Sequence, residues 1–197
     1  MMIAKVIDKL LKNIPDKTEW KSTTSHKFKR DLWDFCIHDK IFQELTAIEL
    51  GTHVGHTTRI LSHLFNEVIT VNNQSQNAAK ELNKDRNNII YEQFDLYQNS
   101  WTFSKGDVIF IDAVHEYGPV LKDVENSLKL KSIIEKKIFI FDDYGMWLGV
   151  QQAVNKLINE GALEVLGYIG HESGFTINNS NTTGTTNNFE GIICQEV

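Results

Sequence analysis

Short runs of apolar residues alternate with amphipathic segments from about residue 45 to residue 160. Runs of four or five apolar residues between polar turns are typical of strands buried on both faces, and apolar residues spaced three and four positions apart are typical of helices that cover a sheet. Alternation of this kind implies an α/β fold with a mostly parallel sheet and helices on both faces. The predicted strands are residues 47–50, 68–71, 89–91, 108–111 and 138–141, and the predicted helices are residues 57–65, 75–82, 119–130 and 150–158.

The first 44 residues depart from this alternation and predict a helical cap segment, so that residues 45–197 form the α/β domain proper. A second helix of the cap is predicted at 27–37, where apolar residues recur on one face. The first helix is amphipathic, and its apolar stripe consists of Ile3, Val6, Ile7, Leu10 and Leu11.

The end of the chain also breaks the pattern. Residues 165–169 and 191–194 have the composition of strands, but no helical pattern connects them, so we expect them to pair antiparallel. The Asn/Thr/Gly tract at 178–188 between them is predicted to be a surface loop, with a binding or dimerisation arm as the alternative.

Composition narrows the class of partner. A chain of 197 residues with 41% hydrophobic and 23% charged residues is typical of a single globular domain. The net charge of −6 and the lack of a Lys/Arg-rich block argue against a nucleic-acid partner and favour a small molecule. Two distant cysteines and no signal or membrane-span pattern predict a cytoplasmic protein without a membrane partner. A homo-oligomer is compatible with the sequence.

The first strand ends within the sequence IELGTHVGHTT, which is a candidate ligand-binding turn. Ligands of open α/β sheets bind beyond the carboxyl ends of the strands. Gly51 and Gly55 permit a tight turn and a close approach of the backbone, and a helix that opens at Thr57 offers free N–H groups to an anion. The stretch is neither a GxGxxG motif nor a P-loop. The alternative is a plain strand-to-helix turn with Thr57 as the helix cap.

Acidic residues follow the fourth and fifth strands. Asp112 ends the fourth, His115 follows three residues later, and Asp142 and Asp143 end the fifth. Backbones of neighbouring strands lie about 5 Å apart, so these side chains should converge. Like charges at that range must share a proton or bind a cation, and carboxylates suit Mg²⁺, Mn²⁺ or Ca²⁺. His115 is a candidate base, or alternatively a bystander in the loop.

Three aromatic residues flank the same rim. Tyr117, Tyr144 and Trp147 follow the acidic positions closely in sequence. Packing in the core or at an edge is one interpretation, and a wall of a substrate pocket is the other.

Together these residues resemble a known family. IELGTHVGHTT is similar to the first motif of class I S-adenosylmethionine (SAM)-dependent methyltransferases. IFIDAVHEYGPVLKDV and IFIFDDYGMWLGVQQAV are similar to the metal-assisted small-molecule O-methyltransferases, which include macrocin-type sugar methyltransferases. The resemblance covers about residues 45–160. It implies a Rossmann-like, mostly parallel sheet of seven strands with an antiparallel last strand, and a SAM-binding catalytic domain at 45–197.

The resemblance also implies roles for individual residues. Asp112, Asp142 and Asp143 match the metal ligands, with His115 or Asp112 as the base. One position departs from the family, because Asn72 stands where an acidic residue usually binds the ribose, so a neutral contact replaces a charge-assisted one. The implied cofactor-binding residues are Glu49, Gly51, Gly55, Thr57, Asn72, Asp95 and Asp112.

The predicted function is methyl transfer from SAM to a hydroxyl of a small molecule, a sugar or another diol, assisted by Mg²⁺ or a similar ion. Three alternatives stay open: a SAM-binding protein without catalysis, a receiver-like magnesium-binding signalling module, and a nicotinamide-dependent oxidoreductase. The position of the acidic doublet on the fifth strand argues against the receiver, and the missing GxGxxG motif argues against the oxidoreductase.

Overall fold

A seven-stranded mixed sheet forms the centre of the chain in the computed structural model, which describes residues 2–20, 23–171 and 189–197. The strand order is β3-β2-β1-β4-β5-β7-β6, and β7 runs antiparallel to both of its neighbours. The strands are β1 Thr46–Leu50, β2 Glu67–Asn72, β3 Ile89–Gln93, β4 Val108–Ile111, β5 Ile138–Phe141, β6 Leu163–Ile169 and β7 Gly191–Glu196.

This sheet confirms the predicted fold class. The five apolar runs are the five strands that pair in parallel, and the last two strands pair antiparallel as expected. The receiver alternative implies a sheet ordered 2-1-3-4-5, which is not the order found. The predicted surface loop at 178–188 lies outside the described residues.

The helices lie close to their predicted positions. A short 3-10 helix, Lys40–Glu44, leads into β1. The α-helices are α1 Met2–Leu11, α2 His26–Ile37, α3 His56–Leu64, α4 Asn77–Leu82, α5 Tyr117–Leu128 and α6 Leu148–Asn159.

The start of α3 corrects one interpretation of the sequence. Gly55, not Thr57, occupies the cap position, with a left-handed φ of 83°. Thr57 lies inside the first turn, where its hydroxyl is 3.4 Å from the hydroxyl of Thr24. The alternative with Thr57 as the helix cap is therefore wrong, because the turn requires a backbone conformation that glycine adopts without strain.

Each face of the sheet carries its own hydrophobic cluster. Alternate residues of a strand point to opposite faces, and along β4 Phe110 faces one cluster while Ile109 faces the other. The helices α1, α2 and α3 contribute to the first cluster, and α5 and α6 contribute to the second. Phe28 of α2 is fully buried and meets the Phe110 ring edge-on at 5.9 Å. The cap helix α2 is thus packed into the same core as the sheet.

The predicted stripe of α1 is described from Val6 onward. Ile7 and Leu11 lie in the first cluster, whereas Val6 is exposed. Among the helices of the described residues, none combines the length and the apolar character needed to cross a membrane.

Candidate active site

A cavity of about 720 Å³ opens where the parallel strands end. Each of the five parallel strands contributes at least one residue to its wall, either the last residue of the strand or a residue within two positions after it. Among these residues are Gly51, Asn72, Asp95, Asp112 and Asp142. This is the edge at which open α/β sheets bind ligands, and the volume is within the range of small-molecule and cofactor sites.

Gly51 makes the close approach of two strand ends possible. Its φ is 104°, and a Cβ placed on it would lie 2.1 Å from the carbonyl oxygen of Asp112. The loops that follow β1 and β4 therefore touch through backbone atoms, which only a glycine allows. The close backbone approach predicted at this turn is therefore present in the structure.

Glu49 is buried and is not among the described residues that line the cavity. Its Oε2 accepts hydrogen bonds from the hydroxyls of Thr58 and Thr70, and within the described part of the chain Oε1 has no partner. Burial raises the pKa of Glu49 to about 8. Gly55 and Thr57 are likewise not among the described residues that line the cavity. Of the seven residues expected to bind the cofactor, the wall contains Gly51, Asn72, Asp95 and Asp112.

Two polar side chains mark the part of the cavity near β2 and β3. Oδ1 of Asp95 accepts the backbone N–H of Tyr97 at 2.8 Å, which orients the carboxylate and leaves Oδ2 for another donor. Asn72 is half-buried, and its amide nitrogen is 3.5 Å from the carbonyl oxygen of Gln74. Both groups are able to hydrogen-bond a ligand in the cavity.

Asp112, Asp142 and Asp143 form an acidic rim at the ends of β4 and β5, and His115 lies between two of its carboxylates. Its Nε2 is 3.2 Å from Oδ1 of Asp112 and 3.4 Å from Oδ2 of Asp143. Burial alone would lower the pKa of His115, but the hydrogen bond to Asp112 and the two negative charges raise it above its ordinary value. Burial, with the charge of Asp143, raises the pKa of Asp112. One ligand atom from each of these three residues lies within 4.8 Å of the others, as a metal site requires.

The two neighbouring aspartates of the doublet have different surroundings. Asp143 has a left-handed φ of 57°, which is unusual for a residue with a side chain, and it joins Asp112 and His115. Asp142 is buried and lines the cavity, but its carboxylate stands outside that group of three. Its Oδ1 has no hydrogen-bond partner in the residues described. Burial, with the charges of Asp143 and Asp112, raises the pKa of Asp142 well above its ordinary value.

The predicted ligand set therefore divides in the structure. Asp112 and Asp143 come together as expected, and His115 joins them more closely than Asp142 does. The donor set of carboxylate oxygens and one imidazole nitrogen suits a divalent ion, and the unpartnered oxygen of buried Asp142 is a further donor in the same cavity. The metal role of Asp142 stays a prediction.

Lys17 is a member of the site that the sequence argument missed. Its Nζ lies 3.1 Å from Oδ1 of Asp143 and 3.3 Å from Oε1 of Glu190, and its side chain is only 4% exposed. Burial alone would lower the pKa of Lys17, but the negative charges of Asp142, Asp143 and Glu190 raise it instead. From the sequence we expected the converging carboxylates to share a proton or to bind a metal ion. In the structure the ammonium group of Lys17, from the cap segment, offsets part of their negative charge.

The three flanking aromatic residues have different surroundings. Trp147 stacks on the ring of His115, with ring centres 5.4 Å apart and an angle of 22°. Tyr117 and Trp147 line a second cavity of about 630 Å³, and both His115 and Trp147 also line the first cavity. Tyr144 is buried in the core, where its hydroxyl donates to Oδ1 of Asn155 at 2.8 Å.

Part of the chain matches a known protein family. Residues 48–144 match the model of a protein family described as a methyltransferase domain, so the match runs from β1 to just beyond the acidic doublet. No curated protein is significantly similar to the chain.

Several solved structures share the fold at low sequence identity. An O-methyltransferase from Bacillus cereus in complex with SAH has a TM-score of 0.63 at 17% identity, over 98% of this chain and 90% of that one. A tRNA methyltransferase from Aquifex aeolicus has a TM-score of 0.62 at 18% identity, over 97% of this chain and 76% of that one. A phosphoethanolamine N-methyltransferase from Haemonchus contortus has a TM-score of 0.51 at 15% identity, over 72% of this chain but only 31% of that one.

These likenesses confirm the Rossmann-like fold of class I methyltransferases. The family match over residues 48–144 is the finding that points to methyl transfer. The tRNA methyltransferase and the phosphoethanolamine N-methyltransferase share the fold but differ in what they methylate, so the fold alone does not select an acceptor.

Proposed function

We propose that the chain transfers a methyl group from SAM to a hydroxyl of a small molecule with the help of a divalent ion. The match of residues 48–144 to a methyltransferase-domain family motivates this proposal. The observation that carries the proposal is the common cavity. Asn72 and Asp95, the candidates for cofactor binding, line the same cavity as Asp112, His115 and Asp143, the candidates for chemistry. Donor and acceptor groups that share one cavity can be aligned for direct transfer.

The residues present fit the cofactor. Oδ2 of Asp95, which accepts no hydrogen bond from the described residues, suits an amino group, and the amide of Asn72 suits a ribose hydroxyl. Gly51 lets the β1 loop pass close to a ligand without a side chain in the way. When bound, SAM supplies a methyl group on a positively charged sulfur, so the leaving group needs no acid. The protein then has two tasks, which are alignment of the acceptor and removal of its proton.

His115 is the proposed proton acceptor. Its Nε2 is hydrogen-bonded to Asp112, and the stack with Trp147 fixes the plane of the ring. Because Nε2 faces carboxylate oxygens it carries the proton of the neutral ring, and Nδ1 is the nitrogen that can accept a proton from the substrate hydroxyl. The negative charges of Asp112 and Asp143 stabilise the imidazolium that results.

Three carboxylates are the proposed holders of the ion: Asp112, Asp143 and, through its unpartnered oxygen, Asp142. When bound, the ion supplies positive charge that lowers the pKa of an acceptor hydroxyl. A ligand set made of oxygens leaves His115 available as the base and matches the preference of Mg²⁺ and Ca²⁺ for oxygen donors.

A sugar or another diol is the proposed acceptor. The resemblance to sugar methyltransferases motivates this choice, and the second cavity supports it. Trp147 and Tyr117 are 37% and 41% exposed there, beside the polar side chains of Glu116 and Gln152. Aromatic faces pack against the C–H groups of a sugar ring while polar groups bind its hydroxyls.

Calorimetric titration of SAM with and without Mg²⁺ tests the proposal, on the chain and on the variant with Asp142→Ala and Asp143→Ala. We expect SAM to bind both proteins and labelled methyl to reach a sugar or diol acceptor only with the unaltered chain and Mg²⁺. A variant with Glu81→Ala and Asp85→Ala, two exposed acids of the same sign, is the matched control and should behave like the unaltered chain. Absence of SAM binding would refute methyl transfer, and full activity after chelation would refute the role of the ion.

A further inference from the structure

The buried ammonium group of Lys17 forms an ion pair with the acidic rim. Lys17 contacts Asp143 and Glu190, which follow it by 126 and 173 positions in the chain. Its side chain lines the same cavity as Asp112, His115 and Asp142. Among the described residues, Lys17 is the lysine or arginine that forms an ion pair with this rim.

The second buried lysine nearby has a different environment. Lys29 is fully buried, and its Nζ bonds to oxygens of Thr23 and Thr24 instead of a carboxylate. Burial lowers the pKa of Lys29 to about 8, the opposite direction from Lys17. Of these two buried lysines, Lys17 is therefore the one that directly offsets the negative charge of the acidic rim.

The two oxygens of Asp143 have different partners. Lys17 holds Oδ1, and His115 Nε2 is the neighbour of Oδ2. An ion that enters between Asp112 and Asp143 would share the Asp143 carboxylate with Lys17. Two positive centres on one carboxylate repel each other, and the effect is strong where water is excluded.

We propose that Lys17 is a built-in cation of the acidic rim, and that a divalent ion binds there in competition with its ammonium group. This inference rests on the divalent-ion part of the proposed function. Lys17 acts through Asp143 and is therefore a positioning residue, which holds the carboxylate until the ion takes over part of its negative charge.

The competition links ion binding to the cap segment. Lys17 is in the connection between α1 and α2, and Trp20 of the same connection packs against His53, another residue of the cavity wall, at 5.2 Å. Glu190, the other partner of Lys17, accepts the backbone N–H of Ser25 at 2.8 Å at the start of α2. An ion that weakens the contact of Lys17 should therefore raise the hydrogen exchange of this connection.

Calorimetric titration with Mn²⁺ tests the inference on the full chain. Lys17→Met should bind Mn²⁺ at least tenfold more tightly than the unaltered chain, because the competing charge is gone. Lys17→Arg keeps the charge and should stay within about threefold of the unaltered chain, since a threefold change is under 1 kcal/mol. Lys12→Met removes the same charge from an exposed position of the same connection and should also stay within that range.

A second variant keeps the test decisive if Lys17→Met fails to fold. Removal of one partner leaves buried charge unpaired, which is strongly destabilising. The double change Lys17→Met with Glu190→Gln removes the ion pair and should likewise bind Mn²⁺ more tightly. Mn²⁺ should also raise the melting temperature of both variants more than that of the unaltered chain.

The outcomes separate this inference from the proposed function. Equal or weaker Mn²⁺ binding by the Lys17→Met proteins overturns the competition and leaves methyl transfer untouched. Absence of Mn²⁺ binding by every protein overturns both the competition and the role of the ion. Titration of SAM on the same samples reports separately on the cofactor.

Discussion

Asp123 gives the sharpest test of the electrostatics of this fold. It lies on α5, is fully buried, and accepts a hydrogen bond from the hydroxyl of Tyr97 at 3.1 Å. In the part of the chain that the structure describes, its Oδ1 has no partner. Burial raises the pKa of Asp123 to about 7, and the bond from Tyr97 offsets only part of that effect. The substitution Asp123→Asn keeps the shape and an acceptor for Tyr97 but removes the titration.

The sign and size of the effect follow from linkage. A pKa that is higher in the folded protein than in the unfolded chain stabilises the fold at low pH, and the contribution is lost as pH rises through the folded value. With 3.8 in the unfolded chain and about 7 in the fold, the contribution of Asp123 falls by roughly 3 kcal/mol between about pH 5 and about pH 8. The amide of the Asp123→Asn variant does not titrate and would contribute equally at both pH values.

Urea unfolding at about pH 5 and about pH 8 measures the effect. The free energy of unfolding of Asp123→Asn relative to the unaltered chain should rise by roughly 3 kcal/mol over this range. Any cost of burying the new amide is the same at both pH values and cancels in the comparison. Glu125→Gln, an exposed acid on the same helix, should show no such change. A difference that is constant with pH would refute the reasoning, because Asp123 would then titrate like a solvated acid.

Three further predictions concern the turn, the core and the aromatic wall. Gly51→Ala should abolish SAM binding measured by calorimetry, because the new Cβ would clash with the Asp112 carbonyl oxygen. The control Gly118→Ala has open space around it and should bind SAM normally, and equal SAM affinity of the two variants would contradict the clash. Phe28→Ala should lower the free energy of unfolding in urea by about 3–5 kcal/mol through a cavity beside Phe110, and a loss under about 1 kcal/mol would contradict the packing. Trp147→Ala should lower the rate of methyl transfer and leave SAM affinity unchanged, while Trp147→Phe keeps most of the rate; a fall in affinity alone would contradict the role given to the stack with His115.

The strands were predictable because burial on both faces leaves a local signature. Every residue of β1 and β4 is buried, and such strands appear in sequence as unbroken apolar runs. The ends of the strands follow directly, so the positions of Asp112, Asp142 and Asp143 at one edge of the sheet could be predicted as well.

Side-chain direction was harder to predict than position. Glu49 lies within β1 and belongs to the sequence motif, yet its side chain is buried outside the cavity wall, where the hydroxyls of Thr58 and Thr70 donate to it. The two partners come from α3 and β2, and no spacing within the motif indicates that they meet. The same holds for the doublet, since the left-handed backbone of Asp143 sends adjacent carboxylates to different surroundings.

Lys17 was beyond prediction for a related reason. One lysine in a polar connection between two helices looks like any solvated lysine, and its partners are more than a hundred residues away. Long-range ion pairs of this kind depend on how the cap segment packs on the sheet, which local pattern does not encode.

The backbone of Asp143 shows how strongly the fold specifies this contact. A non-glycine residue with a φ of 57° costs about 1–3 kcal/mol, and such strain persists only where the surroundings enforce it. Here the Asp143 carbonyl accepts the backbone N–H groups of Met146 and Trp147, at 3.0 and 2.9 Å, while its carboxylate faces Lys17 on one oxygen and His115 on the other. The turn that begins α6 and the charge balance of the rim therefore meet in one residue. Asp143→Gly relieves the backbone but removes the carboxylate, whereas Asp143→Asn keeps the strain and loses the charge. Both variants lose the ion pair with Lys17, so the difference between them in urea reports the backbone strain. Asp143→Asn should be the less stable of the two, and the opposite order would mean that the left-handed backbone at this position is not strained.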